Sequence, residues 1–195
     1  MAVDSDKLKQ LREMTSAGML DCKKALEECN GDIEAASESL RKKGIIKAVK
    51  KMDREATQGS IFSYIHHNGK LGVLLQLNCE TDFVAKNEVF QALGKDISMH
   101  IAAANPLYIR PEDVPTEDVE KEKEIQKEAL LKEGKPANVI DKIMEGKIKK
   151  FTSESALITQ SFVKDPDKSI DDLIKESISK LGENISVGKF IRYSI

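Results

Sequence analysis

The chain has 195 residues, of which 40% are hydrophobic and 33% are charged, and its formal net charge is −2. These values are typical of one sizeable domain, or of one domain with a small module, and they lack the basic footprint of a nucleic-acid-binding protein. Aromatic residues make up only 5% of the chain and tryptophan is absent, which also disfavours base stacking. We therefore expect no direct nucleic-acid partner.

The N-terminus and the cysteines indicate the cellular compartment. The stretch MAVDSDKLKQ has no apolar run after its charges, and no segment approaches the roughly 18 apolar residues of a membrane span. Cys22, Cys29 and Cys79 are an odd number without metal-binding spacing. We expect reduced thiols in a cytoplasmic protein that has no membrane partner.

Residues 1 to about 45 predict three short helices in a small bundle. Ser5 is placed to cap the first helix, and Asn30-Gly31 ends the second. Asp32 caps a third helix, which Gly44 is expected to end.

The second helix carries one apolar residue on the wrong face. At about 100° per residue, Met19 lies at the edge of the core face and Leu20 points about 160° away from it. Leu20 is either a contact for another molecule or an ordinary exposed leucine. The core face itself is formed by Cys22, Ala25, Leu26 and Cys29.

Residues 45–57 predict a basic helical linker whose charges form a solvated face. The expected organisation is therefore a module at 1–45, a linker at 46–58 and a core domain at 59–195. A charged helical segment at about 112–150 belongs to that core.

Two alternating segments, IFSYIHH and KLGVLLQLN, flank Asn68-Gly69 and predict a β-hairpin. A two-residue turn pairs His67 with Lys70 and His66 with Leu71. This register places Phe62, Tyr64 and His66 on the core face with Leu71, Val73, Leu75 and Leu77. The opposite face carries Ser63, Gly72, Gln76 and Asn78.

The stretch NCETDFVAKN, residues 78–87, places Phe83 beside Asp82 in a polar, acidic turn. An aromatic side chain costs roughly 1.5–3 kcal/mol when it is left in water. The side chain of Phe83 is therefore either buried in the core of this chain or bound in a pocket of another protein.

The remaining segments complete an α+β fold. Helices are expected at about 87–104 and 169–181, and two charged helices at 112–150 break at Gly134-Lys135-Pro136. ALITQSFVKDP is expected to be irregular. The final SVGKFIRYSI predicts a strand. We expect this strand to complete a three-stranded antiparallel sheet with the hairpin, because a lone two-stranded hairpin is marginal in water. The predicted class is α+β: a three-helix bundle like ubiquitin-associated modules, then helices packing a small three-stranded antiparallel sheet.

No catalytic, metal-binding or phosphate-binding motif is present in the sequence, so we expect no enzyme activity, metal or cofactor. His66 and His67 are neighbours that point to opposite faces of a strand. Cys79, His66 and Asp82 are an imaginable nucleophile set, but Cys79 continues the apolar face and is read as a core thiol. Cys79→Ala would test this interpretation.

Five stretches in register carry a family resemblance. LREMTSAGMLDCKKALEECNGDIEAASESLRKKG resembles the N-terminal module of elongation factor Ts, and GSIFSYIHHNGKLGVLLQLNCETDFVAKNEVF resembles its core with the signature TDFV. HIAAANPLYIRPEDV, EGKIKKFTSESALITQSFVKDP and GENISVGKFIRYSI are similar to later family segments, in order. The resemblance covers nearly the whole chain.

This resemblance implies a function and a set of contact residues. Elongation factor Ts is the guanine-nucleotide exchange factor of elongation factor Tu, the GTPase that delivers aminoacyl-tRNA. Asp82 and Phe83, with Thr81 and Val84 in the signature, are then expected near the Mg²⁺ and phosphate site of the partner. The same resemblance adds Met19 and Leu20, which match AGMM, and also Arg12 and His66. For His66, packing at the edge of its own sheet stays an alternative, and His100 is read as structural.

Departures from the family pattern bear on assembly. Ser16 stands where the family usually has Gly, Leu20 where Met is common, and Ser161 replaces a common Pro. The chain has one hairpin and one TDFV, like the short form of the family, in which two chains pair to supply both cores. The resemblance therefore predicts a homodimer through the sheet. The alternative is that one chain suffices.

A rival function is that of an adaptor built on the bundle, which resembles ubiquitin-associated modules that dock on partner surfaces and which has no exchange activity. This hypothesis leaves residues 59–195 unexplained. Truncation of the first 45 residues would abolish partner binding by an adaptor, whereas an exchange factor would keep its TDFV contact.

Overall fold

The computed structural model of the protein describes residues 4–15, 17–132 and 137–195. Within these ranges the chain forms eight α-helices and five strands. In chain order they are α1 (Ser5–Thr15), α2 (Met19–Glu28), α3 (Ile33–Val49), β1 (Gln58–Ile65), β2 (Leu71–Cys79), α4 (Asp82–Ala85), α5 (Glu88–Ala104), α6 (Thr116–Lys132), α7 (Ala137–Ser155), β3 (Ser161–Phe162), β4 (Asp165–Ser169), α8 (Ile170–Leu181) and β5 (Ile185–Ser194). The predicted α+β class is confirmed.

The chain divides into two compact units, each assembled from separate segments. The first contains Met1–Ile61, Gln76–Gly94 and Asp172–Gly188. The second contains Phe62–Leu75, Lys95–Asp171 and Lys189–Ile195. The division into a module, a linker and a core that the sequence suggested stays a prediction.

Helices α1, α2 and α3 pack together as the predicted bundle. Asp4, and not Ser5, caps α1, since Asp4 Oδ1 accepts a hydrogen bond from Asp6 N at 3.0 Å. Asp32 caps α3 as expected, accepting from Ala35 N at 3.0 Å. The buried cluster at the centre of the bundle consists of Leu11, Cys22, Ala25, Leu26 and Ala36. The likeness of this bundle to ubiquitin-associated modules stays a prediction.

The expectation that Gly44 ends the third helix is wrong. Helix α3 continues to Val49, and a Cβ atom at position 44 would lie 2.6 Å from Ser179 Oγ of α8. Gly44 therefore allows two helices to approach closely and is not a helix terminator. A truncation at residue 45 would cut α3 in its interior.

Basic side chains that follow residue 45 interact with acidic and carbonyl groups of the same unit. Lys47 Nζ lies 3.1 Å from Asp21 Oδ2, and Lys51 Nζ donates a hydrogen bond to the Gly182 carbonyl at 2.8 Å. Lys47 is exposed, as the predicted solvated face requires, whereas Lys51 is partly buried and bonded to the backbone.

The predicted hairpin and C-terminal strand form one sheet in the order β1-β2-β5. The His66 N–H donates to the Leu71 carbonyl at 2.8 Å, in the predicted register. The alternation of apolar residues along the hairpin also predicts its core face correctly, since Phe62, Val73 and Leu75 are buried. The sequence therefore determines which face of the hairpin is covered.

The two-residue turn predicted at Asn68-Gly69 is wrong. The Gly69 N–H donates to the His66 carbonyl at 2.8 Å, and Asn68 Oδ1 accepts from Lys70 N at 3.0 Å. Gly69 adopts a φ of +67°, whereas Asn68 does not enter the left-handed region. The Asn68 side chain closes a local turn with the backbone two residues later, and this replaces the Asn-Gly geometry that needs two left-handed residues.

The segment expected to be irregular contains a second, two-stranded sheet. Strands β3 and β4 pair antiparallel, with Ser161 opposite Ser169. A β-strand of two residues is too short to give a sequence pattern of period two, so the prediction missed it. The expected break at Gly134-Lys135-Pro136 and the departure at Ser16 lie outside the described residues.

Buried His100 is expected to make folding stability depend on pH. Its Nε2 lies 2.9 Å from Gln160 Oε1, and its Nδ1 has no hydrogen-bond partner among the described residues. Burial lowers the pKa of His100 from its ordinary value of 6.5, and the Gln160 hydrogen bond offsets part of that effect. Protonation would add a buried N–H donor without an acceptor.

Because the folded-state pKa of His100 lies below the unfolded value, the unfolded chain binds more protons as the pH falls. Stability is therefore retained above pH 6.5 and decreases as the pH falls from that value towards the folded-state pKa. Urea unfolding at pH 7.5 and 5.5 checks this expectation, with His100→Gln as the non-titrating control. An equal loss of stability in both proteins would contradict it.

Candidate partner-binding site

The TDFV segment forms a single helical turn that directly follows strand β2. Thr81 is the N-cap of α4, and its Oγ1 accepts a hydrogen bond from Val84 N at 3.4 Å. Asp82 and Phe83 occupy the first positions of the helix, where their side chains project from the cap. The sequence predicted a polar turn at this place, and the structure gives it a defined helical geometry.

Phe83 lies on the surface of the molecule. Its side chain is 81% exposed, the highest exposure of any phenylalanine in the described part of the chain. Ala85, two residues later, is buried, so the turn itself is anchored. The alternative in which Phe83 folds back into its own core is therefore wrong.

Both ends of α4 are held by side chains from other elements of the first unit. The Glu183 carboxylate accepts hydrogen bonds from Thr81 N at 3.0 Å and from Thr81 Oγ1 at 2.8 Å. Gln91 Nε2 donates to the Ala85 carbonyl at 2.7 Å. An exposed aromatic side chain is thus presented on a fixed backbone.

Asp82 is exposed and ionised. Lys86 Nζ lies 2.8 Å from Asp82 Oδ2, one helical turn away. The hydrogen bond from Lys86 holds the pKa of the Asp82 carboxyl below its usual value. The turn therefore presents a negative charge beside its exposed aromatic ring.

Cys79 does not have the properties of a nucleophile. Its thiol is buried and donates to the Thr81 carbonyl at 3.1 Å. Burial, with the negative charge of Glu183 as the second cause, raises the pKa of Cys79. A reactive cysteine needs the opposite shift, so the geometry favours the interpretation of Cys79 as a core thiol.

The bundle presents a second candidate surface. Leu20 is 74% exposed and Met19 is also exposed, while Cys22 on the opposite side of α2 is buried. Met19 and Arg12 line one surface groove with Lys9 and Glu13. The helical phase correctly predicted the direction of Leu20, and the structure brings Arg12 and Met19 together.

His66 lies in the second unit and is half-buried. Its Nδ1 forms a hydrogen bond of 2.9 Å with the Tyr64 hydroxyl, so the two residues share a face as predicted. The expectation that His66 and His67 point to opposite faces is wrong, since their ring centroids are 4.2 Å apart. Strand β1 ends at Ile65, and strand alternation does not extend to these two residues.

The described residues contain no group of three or more His, Cys, Asp or Glu side chains placed to hold a metal ion. Among the helices of the same described ranges, none is long and apolar enough to cross a membrane.

Comparison with known sequences identifies the family. The sequence model described as Elongation factor TS matches residues 2–195. The chain belongs to the elongation factor Ts family. Its role is therefore that of an elongation factor, as the resemblance predicted.

Curated members of the elongation factor Ts family align over nearly the full chain. The protein from Thermosipho melanesiensis is 56% identical over 188 residues, which cover 96% of each chain. That from Geobacter sulfurreducens is 54% identical over 193 residues, or 99% of this chain and 89% of the relative. The Fervidobacterium nodosum protein is 53% identical over 195 residues, or 100% of this chain and 99% of the relative.

Sequence reasoning missed the residues that hold the TDFV turn. Glu183 and Asn184 lie about a hundred positions downstream and follow no motif that points to Thr81. The sequence analysis also did not name the exposed Ile61, Ile65 and Leu74, although the alternation that predicted the core face of the hairpin is the signal that could have placed them on its opposite face.

Proposed function

We propose that this chain is a guanine-nucleotide exchange factor for elongation factor Tu, and that its TDFV turn promotes GDP release so that GTP can bind. The observation that carries this proposal is the 81% exposure of Phe83 on a turn whose two ends are braced. An aromatic anchor that enters a desolvated pocket is the usual centre of a protein–protein interface. Membership of the elongation factor Ts family supports the same partner.

The proposed mechanism is a wedge. Phe83 enters the GTPase domain of the partner near its Mg²⁺ and phosphate site, and Asp82 brings a carboxylate to the same place. Mg²⁺ coordinates the phosphates of the nucleotide, so displacing the other ligands of the metal weakens the binding of GDP. Thr81 and Val84 shape the backbone of the wedge, since the Thr81 hydroxyl accepts the Val84 N–H.

Other predicted contact residues widen the proposed interface. Leu20 and Met19 supply exposed apolar surface on the bundle, and Arg12 lies in the same groove as Met19. His66 is proposed as a further contact, oriented by its hydrogen bond to Tyr64. The partner is a component of translation, so the proposed location of the chain is the cytoplasm. We propose no enzymatic step, cofactor, nucleic-acid contact or membrane contact for it.

The proposal requires the factor to bind nucleotide-free elongation factor Tu better than the GDP form. Calorimetry with the two forms of the partner tests this requirement. A coupling of about 4 kcal/mol corresponds to a roughly thousandfold difference in dissociation constant. The affinity of GDP for the complex must fall by the same factor. Equal affinities for the two forms would contradict the proposal, because a factor that binds both forms equally well cannot shift the equilibrium between them.

We also propose that two copies of the chain pair through the solvent-facing side of the sheet. Within the second unit, a surface groove beside Tyr193 is lined by Ile65, Leu74 and Ile195. Ile65 is 68% exposed and Tyr193 is 67% exposed. Contiguous apolar side chains on a surface mark an interaction site, and a twofold pairing would cover this patch with its own copy.

Tyr193→Lys is expected to weaken the proposed dimer at least about a hundredfold. A twofold interface places the new charge twice in one apolar contact, where each charge loses water without gaining a partner. Sedimentation equilibrium at micromolar concentration measures the effect. Ile125→Lys, which charges an exposed isoleucine of α6 outside the groove, is the control. A monomeric unsubstituted protein, or a dimer that Tyr193→Lys leaves intact, would contradict the proposed pairing.

A further inference from the structure

Two carboxylates join the TDFV turn to the segment after α8. Glu183 accepts hydrogen bonds from Thr81 N at 3.0 Å and from Thr81 Oγ1 at 2.8 Å. In the opposite direction, Glu80 Oε1 accepts from Asn184 N at 2.6 Å. We call Glu80, Thr81, Glu183 and Asn184 the carboxylate clasp. Each of the two segments of the clasp contributes one carboxylate and one backbone N–H.

Hydrogen bonds hold the backbone on both sides of Glu183. Gly182 adopts a φ of +80°, which allows the bend after α8, and its carbonyl accepts a hydrogen bond from Lys51 Nζ at 2.8 Å. Asn184 is 4% exposed, and its Nδ2 donates to the carbonyls of Met52 at 3.1 Å and Arg54 at 2.6 Å. Glu183 therefore reaches Thr81 from a backbone that is held by neighbouring hydrogen bonds.

Helix α4 depends on such an anchor. It has four residues, and an isolated turn of this length is not stable in water. The Thr81 hydroxyl donates its proton to Glu183, which leaves its lone pairs to accept the Val84 N–H. The contact with Glu183 thus fixes where the helix begins, and with it the directions of Asp82 and Phe83.

We propose that Glu183 is a positioning residue for nucleotide exchange, acting through Thr81 and without touching the partner. This inference rests on the proposed exchange function. In the simplest version of this proposal, Phe83 can be inserted only by the fraction of molecules in which the turn is already formed. The concentration of factor that gives half of the maximal rate then rises by the inverse of that fraction.

The test is the rate of fluorescent GDP release from elongation factor Tu as a function of factor concentration. Glu183→Ala is expected to raise the half-saturating concentration about tenfold and to leave the maximal rate within about twofold. Glu183→Gln keeps one acceptor oxygen and is expected to raise it about threefold. Glu38→Ala, which removes an exposed carboxylate paired with Lys42, is expected to change neither quantity.

Two further measurements separate positioning from a general loss of stability. In the free protein, the amides of Val84 and Ala85 are expected to exchange faster in Glu183→Ala, while those of α2 are unchanged. Glu80→Ala breaks the other half of the clasp but leaves both hydrogen bonds to Thr81 in place. It is expected to lower the urea midpoint and to raise the half-saturating concentration by much less than Glu183→Ala does.

The possible outcomes distinguish this inference from the function on which it rests. If the unsubstituted protein accelerates release and Glu183→Ala has the same half-saturating concentration, only the positioning role is overturned. A proportional effect of Glu80→Ala and Glu183→Ala on stability and half-saturation also overturns it. If the unsubstituted protein does not accelerate release, the proposed function fails and the inference fails with it.

Discussion

Phe83→Ala is expected to reduce the acceleration of GDP release from elongation factor Tu about a hundredfold at a subsaturating concentration of factor. Truncation of a central aromatic anchor costs about 2–4 kcal/mol of binding free energy, and about 1.4 kcal/mol corresponds to a factor of ten. The side chain is 81% exposed in the free protein, so its removal takes nothing from the core. The free energy of unfolding is expected to change by less than about 0.5 kcal/mol.

Stopped-flow release of a fluorescent GDP measures the rate, and urea unfolding measures the stability of the same sample. Leu107→Ala is the matched control, because it also removes an exposed apolar side chain, outside the candidate site. A Phe83→Ala protein that keeps its exchange rate would show that Phe83 does not enter the partner. Loss of both rate and stability would assign the residue a structural role.

Gly59→Ala is expected to destabilise the protein by about 3 kcal/mol, from backbone strain and overpacking together. Gly59 has a φ of +149°, a region that residues with a side chain rarely adopt. An added Cβ would lie 2.2 Å from the Leu77 carbonyl oxygen and 2.8 Å from Asn78 Cα. Both contacts are to the backbone of β2, which cannot move aside as a side chain would.

The midpoint of urea unfolding measures this loss, and two other glycines separate its causes. Gly69 has a φ of +67° but open space around it, so Gly69→Ala is expected to cost only about 1 kcal/mol of strain. Gly146 lies within α7 in open space, and Gly146→Ala is expected to stabilise by about 0.5–1 kcal/mol. An equal effect of Gly59→Ala and Gly69→Ala would show that the predicted clash is relieved.

Patterns with a fixed period predicted the architecture well. The alternation of Phe62, Val73 and Leu75 fixed the buried face of the hairpin, because a slip by one residue would expose all of them. Helical phase placed Leu20 on the surface of α2 and Ala25 in the core of the bundle. These features depend on near neighbours in the chain, and the sequence shows such neighbours directly.

Features that depend on distant segments were not predictable in this way. From the sequence alone, Gly44 is expected to end a helix, and only the structure shows that it packs against Ser179. Nothing in the sequence relates Glu183 to Thr81. The turn at Asn68 was misjudged because its side chain competes with the backbone geometry that Asn-Gly usually adopts. The sequence is compatible with either a buried or an exposed Phe83, and only the folded structure shows that Ala85 is buried while Phe83 is exposed.

The exchange function itself is tested most directly by mixing elongation factor Tu, loaded with fluorescent GDP, with excess unlabelled GDP in the presence and absence of this protein. The dissociation rate is expected to rise with the concentration of the protein and then to level off. If the whole coupling of about 4 kcal/mol acts on GDP dissociation, the limiting rate lies about a thousandfold above the spontaneous rate. A rate that does not change when the folded protein is added would contradict the exchange function.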